Sequence, residues 1–171
     1  MPINIDNTYR IKRNLDQEDK MQYLLRELRV FNSYSQILTI SALIGYANDA
    51  HPAITKAAEP VQVTFFEERE KEIMNFLAYM MAGNQSILQE RPKDDPDRNK
   101  MYEAFETYAN GGFPILCKKL GVDFIDKKKN DRLTILKNYY MMLLSNDLLT
   151  FDSYEEITPP GKYACNGYQN I

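Results

Sequence analysis

The sequence predicts a mainly α fold, a compact bundle of about six helices around a buried central helix, with one or two minor strands near the N-terminus. Three observations carry this. The stretch from Phe31 to Ala50, FNSYSQILTISALIGYANDA, sets Ile37, Leu38, Ile40, Leu43 and Ile44 nearly all round a helix, broken only by Ser35, Gln36, Thr39 and Ser41. Such a helix is enclosed rather than half exposed, and burying those side chains contributes on the order of 10 kcal/mol. Amphipathic stripes at helical spacing flank it on both sides, and glycine and proline punctuate the chain between them.

In chain order, Thr8 to Arg13 (TYRIKR) alternates apolar and polar, with Tyr9 and Ile11 on one side and Arg10 and Lys12 on the other, which suits a short strand. Asp16 reads as an N-cap for a helix carrying Met21, Leu24, Leu25 and Leu28. Asn32 and Ser33 separate it from the central helix, which ends near Asn48, ahead of His51-Pro52. Glu59 to Val63 reads as an extended connection or edge strand. Thr64 and Glu67 have capping-box spacing for a helix whose stripe is Ile73, Phe76, Leu77, Met80 and Met81, stopping at Gly83-Asn84. Gln89 to Asp97 is a charged loop. Pro96 opens a helix bearing Met101, Phe105 and Tyr108 that closes at Asn110-Gly111-Gly112, and a separate short helix runs from Phe113 to Leu120, ending at Gly121. Asp131 caps a last helix with Leu133, Leu136, Tyr140, Leu143 and Leu144 facing inward.

The chain's 171 residues suit one helical domain over 1–153 and an irregular tail over 154–171, where Pro159-Pro160-Gly161 interrupts any periodicity. No apolar run approaches the roughly 18 residues of a membrane span, and MPINIDNTYR lacks the apolar core of a leader, so the expectation is a cytoplasmic protein without membrane contact. Cys117 and Cys165 lie too far apart in sequence to suggest a disulfide framework.

The same inventory leaves little room for catalysis. One histidine and two distant cysteines cannot supply a structural zinc site. His51, at a helix exit, reads as a capping or exposed residue, and Cys117, beside Lys118 and Lys119, as a buried helix cysteine without a base. No GxxxxGK loop occurs. Glu18-Asp19-Lys20 is an acidic-x-lysine triplet that a metal nuclease would use, but it falls in a first helical turn, where acids suit the dipole anyway. Asp94-Asp95-Pro96-Asp97 lacks EF-hand spacing. Neither a catalytic residue nor a metal or other cofactor is expected.

A net charge of −3 argues against nucleic-acid binding over the whole surface. Local basic groups remain. Lys127, Lys128, Lys129 and Arg132 gather in one span, a DNA-contacting patch or a solvated loop. The order strand, helix, helix at the start is similar to the ribbon-helix-helix unit, in which strands paired across a homodimer enter the major groove. That analogy points Thr8, Arg10 and Lys12 at DNA, against the plainer reading of an edge strand lying on a helical domain.

The aromatic-led central helix, the Glu59-Pro60 connection into Phe65-Phe66, and FETYANGGFPIL together resemble the fourth dnd system-associated protein family, small bacterial proteins whose genes lie beside DNA phosphorothioation and phage-defence genes. The resemblance covers Thr8 to Gly121, and its most specific piece is Glu106-Thr107-Tyr108-Ala109-Asn110-Gly111-Gly112. The family has no assigned catalytic motif, so the resemblance implies a setting: a non-enzymatic accessory protein in contact with DNA-processing defence proteins. Direct DNA binding is the first alternative and a metal-dependent nuclease the second. Within the motif, Glu106, Tyr108, Ala109, Asn110, Gly111 and Gly112 read as structural, with Asn110 and Gly111 ending a helix. The competing reading has amides of the Gly-Gly turn holding a phosphate or carboxylate.

Overall fold

Two helices packed backbone against backbone form the centre of the molecule. They are α2 (Tyr34–Ala47) and α4 (Lys100–Leu120), seen in a computed structural model that describes residues 5–89 and 91–145. Ser33 starts α2 by accepting the Gln36 N–H at 3.1 Å. Ser35, Ile37, Leu38, Thr39, Ser41, Ala42, Ile44 and Gly45 are all buried, so the central helix is enclosed as its apolar residues require. The expected tail over 154–171 lies outside the described residues.

The N-terminal strand is short. β1 (Arg10–Ile11) pairs antiparallel with β2 (Val61–Gln62), with Arg10 opposite Gln62 and Ile11 opposite Val61. The pairing continues loosely on both sides: Val63 N–H donates to Tyr9 O, Ala58 N–H to Arg13 O, and Leu15 N–H to Lys56 O. Asn14, not Asp16, caps α1 (Leu15–Gln22), its side chain accepting the Asp16 N–H at 3.1 Å. The helix then widens into a π-helical turn over Tyr23–Glu27. Met21, Tyr23, Leu24 and Leu28 enter the core.

α3 (Glu68–Ala82) begins three residues later than Thr64 suggested, with Glu67 and Glu70 forming the capping box and Thr64 in a preceding 3-10 turn. Gly83, in the left-handed region at φ 68°, ends it as expected. Its buried face is Met74, Asn75, Leu77 and Ala78, whereas Phe76, Met80 and Met81 of the expected stripe face outward. α5 (Arg132–Ser145) is also rotated from the expected face, in the opposite sense. Asp131 caps it by accepting the Thr134 N–H at 3.0 Å, but Ile135, Tyr139 and Met142 are the residues that enter the core. Tyr139 meets the edge of Phe31 with centroids 5.0 Å apart, and that aromatic pair sets the rotation. Leu133, Tyr140 and Leu144, expected inside, are 72, 58 and 79% exposed.

The largest departure is α4. The two helices expected on either side of Asn110-Gly111-Gly112 are one helix of 21 residues, which runs through both glycines and Pro114 and ends at Gly121. Pro96 does not open it; Asn99 sits at its cap. The described residues therefore hold five α-helices where about six were expected.

Candidate functional site

The family-like motif lies at the contact between α2 and α4, and its glycines explain why the helix does not break there. A Cβ on Gly112 would sit 1.7 Å from Ser41 O, one on Gly111 2.1 Å from Ala50 O, and one on the facing Gly45 2.0 Å from Tyr108 O. Glycine is used here for the absence of a side chain, which lets two backbones touch, and not for a left-handed turn. With both glycines buried inside the helix, their amides present no anion-binding turn, which overturns that reading of the motif.

A proline inside a helix normally leaves the carbonyl four residues earlier without its donor. For Pro114 that carbonyl belongs to Asn110, and Gln17 Nε2 donates to it at 2.9 Å. The same Gln17 amide donates to Asn110 Oδ1 at 3.0 Å, joined there by Asn14 Nδ2, while Asn110 Nδ2 donates to Pro52 O at 2.9 Å and Ala53 O at 3.3 Å. Asn110 thus ties the start of α1 and the loop after α2 to the middle of α4. Tyr108 meets the edges of Tyr46 and His51, and Ala109 is buried.

Glu106 is the buried charge of the motif. Its Oε1 accepts the Lys12 N–H at 2.8 Å and the Tyr9 hydroxyl at 3.1 Å, and Tyr9 stacks on Tyr102 with centroids 4.1 Å apart. Burial pushes the Glu106 carboxyl above its ordinary range, against the opposing pull of Lys12 and Tyr9. A raised folded-state pKa means that the native protein holds this proton more tightly than the unfolded chain. Its stabilising contribution is therefore full below the ordinary value of 4.5 and is lost as pH rises through the folded value. Glu106→Gln keeps an acceptor for both donors and removes the ionisation. Urea titrations at pH 4 and pH 7 should show the variant gaining on the parent at the higher pH; a variant that loses stability at pH 7 would show that the carboxylate is favoured there.

The residues expected to face DNA divide into two kinds. Arg10 on β1 and Lys12 just after it are exposed, and Thr8 is exposed with its amide and hydroxyl donating to Asp6 Oδ1. The strand that a ribbon-helix-helix dimer would pair across subunits is paired with β2 of its own chain, and the Lys12 amide is taken by Glu106. The basic run after α4 is partly engaged as well. Lys127 lies over the Tyr23 ring at 4.3 Å and 3.5 Å from Glu27, and Lys129 is 3.5 Å from Asp126, while Lys128 is exposed. Arg132 donates through Nε to Leu28 O at 2.7 Å and through Nη2 to Arg29 O at 3.3 Å, closing the end of the π-helical turn.

The remaining reactive side chains are held in structural roles. His51 is half exposed, 3.2 Å from Asp49 Oδ1. The Cys117 thiol is pushed up to about 12 by burial, which keeps it a thiol. Glu18, first of the acidic-x-lysine triplet, receives Arg13, Gln22 Nε2 and the Tyr34 hydroxyl. Asp95 and Asp97 pair with Arg91 at 3.3 and 3.8 Å. Among the described residues no three His, Cys, Asp or Glu side chains converge as metal ligands, and no helix is long and apolar enough to cross a membrane. Sequence reasoning missed Arg13 and Gln17, both buried, and Arg132's clamp; no local pattern distinguishes them from surface polar residues.

No curated protein and no solved structure matches the chain. The family described as DNA sulphur modification system-associated protein 4 matches residues 10–143, reaching past the Gly121 limit of the earlier resemblance to take in the basic run and nearly all of α5. From β1 to α5, then, this chain belongs to the DNA sulphur modification system-associated protein 4 family.

Proposed function

We propose that the protein is a non-enzymatic accessory component of a DNA sulphur modification system that works by docking onto the system's DNA-processing proteins. The observation that supports this most is the outward face of α5, where Leu133, Tyr140, Met141 and Leu144 stand open to solvent along one helix. Monomers rarely leave so much contiguous apolar surface without a use for it. The test is capture of the sulphur-modification proteins by the tagged full chain in its native host, with and without nuclease. The double variant Leu133→Ser and Leu144→Ser should fold normally and lose about tenfold or more of the capture, as the loss of central apolar anchors implies. Undiminished capture by that variant sinks the docking face.

A second reading, direct DNA binding, is favoured by the exposure of Arg10 on β1 and of Lys12 just beyond it. Replacing both with Ala and measuring duplex affinity at two salt concentrations should lower the salt slope by about 2 if both meet phosphates. An unchanged slope removes this face as a DNA contact.

A further inference from the structure

A cavity of about 230 Å³ is lined by the segment Ile5–Asn7, by Ile87, Leu88, Gln89, Arg91 and Arg98, and by Met101 and Tyr102 at the start of α4. Three of its lining side chains keep donor capacity to spare. Arg91 Nε is buried and has no partner among the described residues. The rest of that guanidinium is loosely held, at 3.3 Å from Asp95 Oδ2, 3.3 Å from Ser86 O and 3.8 Å from Asp97 Oδ2, all at or beyond the usual range for charged hydrogen bonds. Arg98 spends one nitrogen, Nη2, on Asp6 Oδ2 at 2.9 Å. The Tyr102 hydroxyl accepts the Asp6 N–H at 2.7 Å and donates to no described residue.

Among the described residues Asp6 is the one carboxylate in the wall, and its oxygens are already occupied: Oδ1 by Thr8 and Oδ2 by Arg98. Arg98 meets Asp6 at 2.9 Å, whereas Arg91 meets Asp95 and Asp97 only at 3.3 and 3.8 Å, so Arg91 is the less tightly paired of the two cations. Ile5, Ile87, Leu88 and Met101 give the wall its apolar part, lowering the local dielectric in which these donors act, and the Asn7 and Gln89 amides line the rest.

We infer that this cavity is a binding site for a terminal phosphate monoester, with Arg91 as the principal charged contact and Arg98 and the Tyr102 hydroxyl as supporting donors. Donors that come from Arg91 on the loop, from Arg98 just before α4 and from Tyr102 in its first turn suit a tetrahedral oxyanion better than a flat carboxylate, which a single guanidinium fork satisfies. The space is smaller than the roughly 300 to 1,000 Å³ of sites that engulf a whole drug-sized ligand, so it accepts the phosphorylated end of a larger molecule or a small ester. Two sources present that group, a free nucleoside 5′-monophosphate and the 5′-phosphorylated end of a DNA strand. The inference stands independently of the α5 docking face.

The test uses the full chain and isothermal titration with inorganic phosphate, a nucleoside 5′-monophosphate, and one duplex prepared with and without 5′-phosphates. Binding of the mononucleotide is expected, weakened at least tenfold by Arg91→Gln and by Tyr102→Phe, with Lys93→Gln, an exposed charge on the same loop, unchanged. A preference for the 5′-phosphorylated duplex over its unphosphorylated twin assigns the strand end as the source; equal duplex binding with mononucleotide binding retained assigns the free ester. Failure of all phosphorylated probes to bind at millimolar concentration overturns the site. So does binding that Arg91→Gln and Tyr102→Phe, each shown to be folded by urea titration, leave unaltered.

Discussion

Gly112→Ala is expected to destabilise the protein by about 4 kcal/mol, a large part of the 5 to 15 kcal/mol that holds an ordinary domain together. The added methyl would stand 1.7 Å from Ser41 O and 2.5 Å from Gly45 N, both backbone atoms, so no side chain can swing aside to admit it. The two central helices must separate, and a separation there loosens the burial of Leu38, Ala42, Phe105 and Phe113, all within the core. Gly83→Ala is the control. Gly83 has φ 68° but open space around its Cβ position, so alanine there should cost only about 1 kcal/mol, from backbone strain alone. Urea unfolding of both variants checks the contrast. Equal, small losses would mean that the helices have slack at their crossing and that the close approach is not what glycine is there to permit.

The same glycines show where sequence reading succeeds and where it stops. Helix ends governed by one local residue were legible: the Asp131 carboxylate at the start of α5, and the left-handed glycines Gly83 and Gly121 at the ends of α3 and α4. Gly111-Gly112 followed by Pro114 carries the same local signal and means the opposite, because what decides it lies outside the window. One deciding partner is Gln17, which replaces the donor that Pro114 lacks; the others are Ser41 and Gly45, whose small size lets α2 come close. The rotation of α5 was illegible for a related reason. Leu133, Leu136, Tyr140 and Leu144 and the alternative set Ile135, Tyr139 and Met142 both repeat at helical spacing, and the choice between them rests on the distant Phe31. For the candidate sites, alternation correctly put Arg10 and Lys12 outside and Ile11 inside, and Arg13 keeps to the inward side of the same alternation, although its charge marks it as a surface residue.

Arg13→Ala is accordingly expected to cost about 3 to 5 kcal/mol, while Arg10→Ala, three residues away, stays within about 0.5 kcal/mol. Arg13 is 4% exposed. Its Nε and Nη2 both donate to Glu59 O, its Nη1 meets Glu18 Oε2, and its guanidinium lies 4.0 Å over the Tyr34 ring. One side chain therefore fastens the end of β1 to the loop before β2, the first turn of α1 and the start of α2. Removing it strands a Glu18 carboxylate that is 17% exposed and leaves Glu59 O without either donor. Arg13→Lys should recover less than half of the loss, because a single ammonium cannot span the fork and the ring together. The decisive comparison is Arg13→Met with Glu18→Leu in one chain. If the pair serves mainly to choose this arrangement over others, the double variant should be nearly as stable as the parent in urea, since neither charge is then buried alone. If the double variant falls as far as Arg13→Ala, the stabilisation lies in the Glu59 carbonyl contacts and the Tyr34 stacking, and the ion pair adds little.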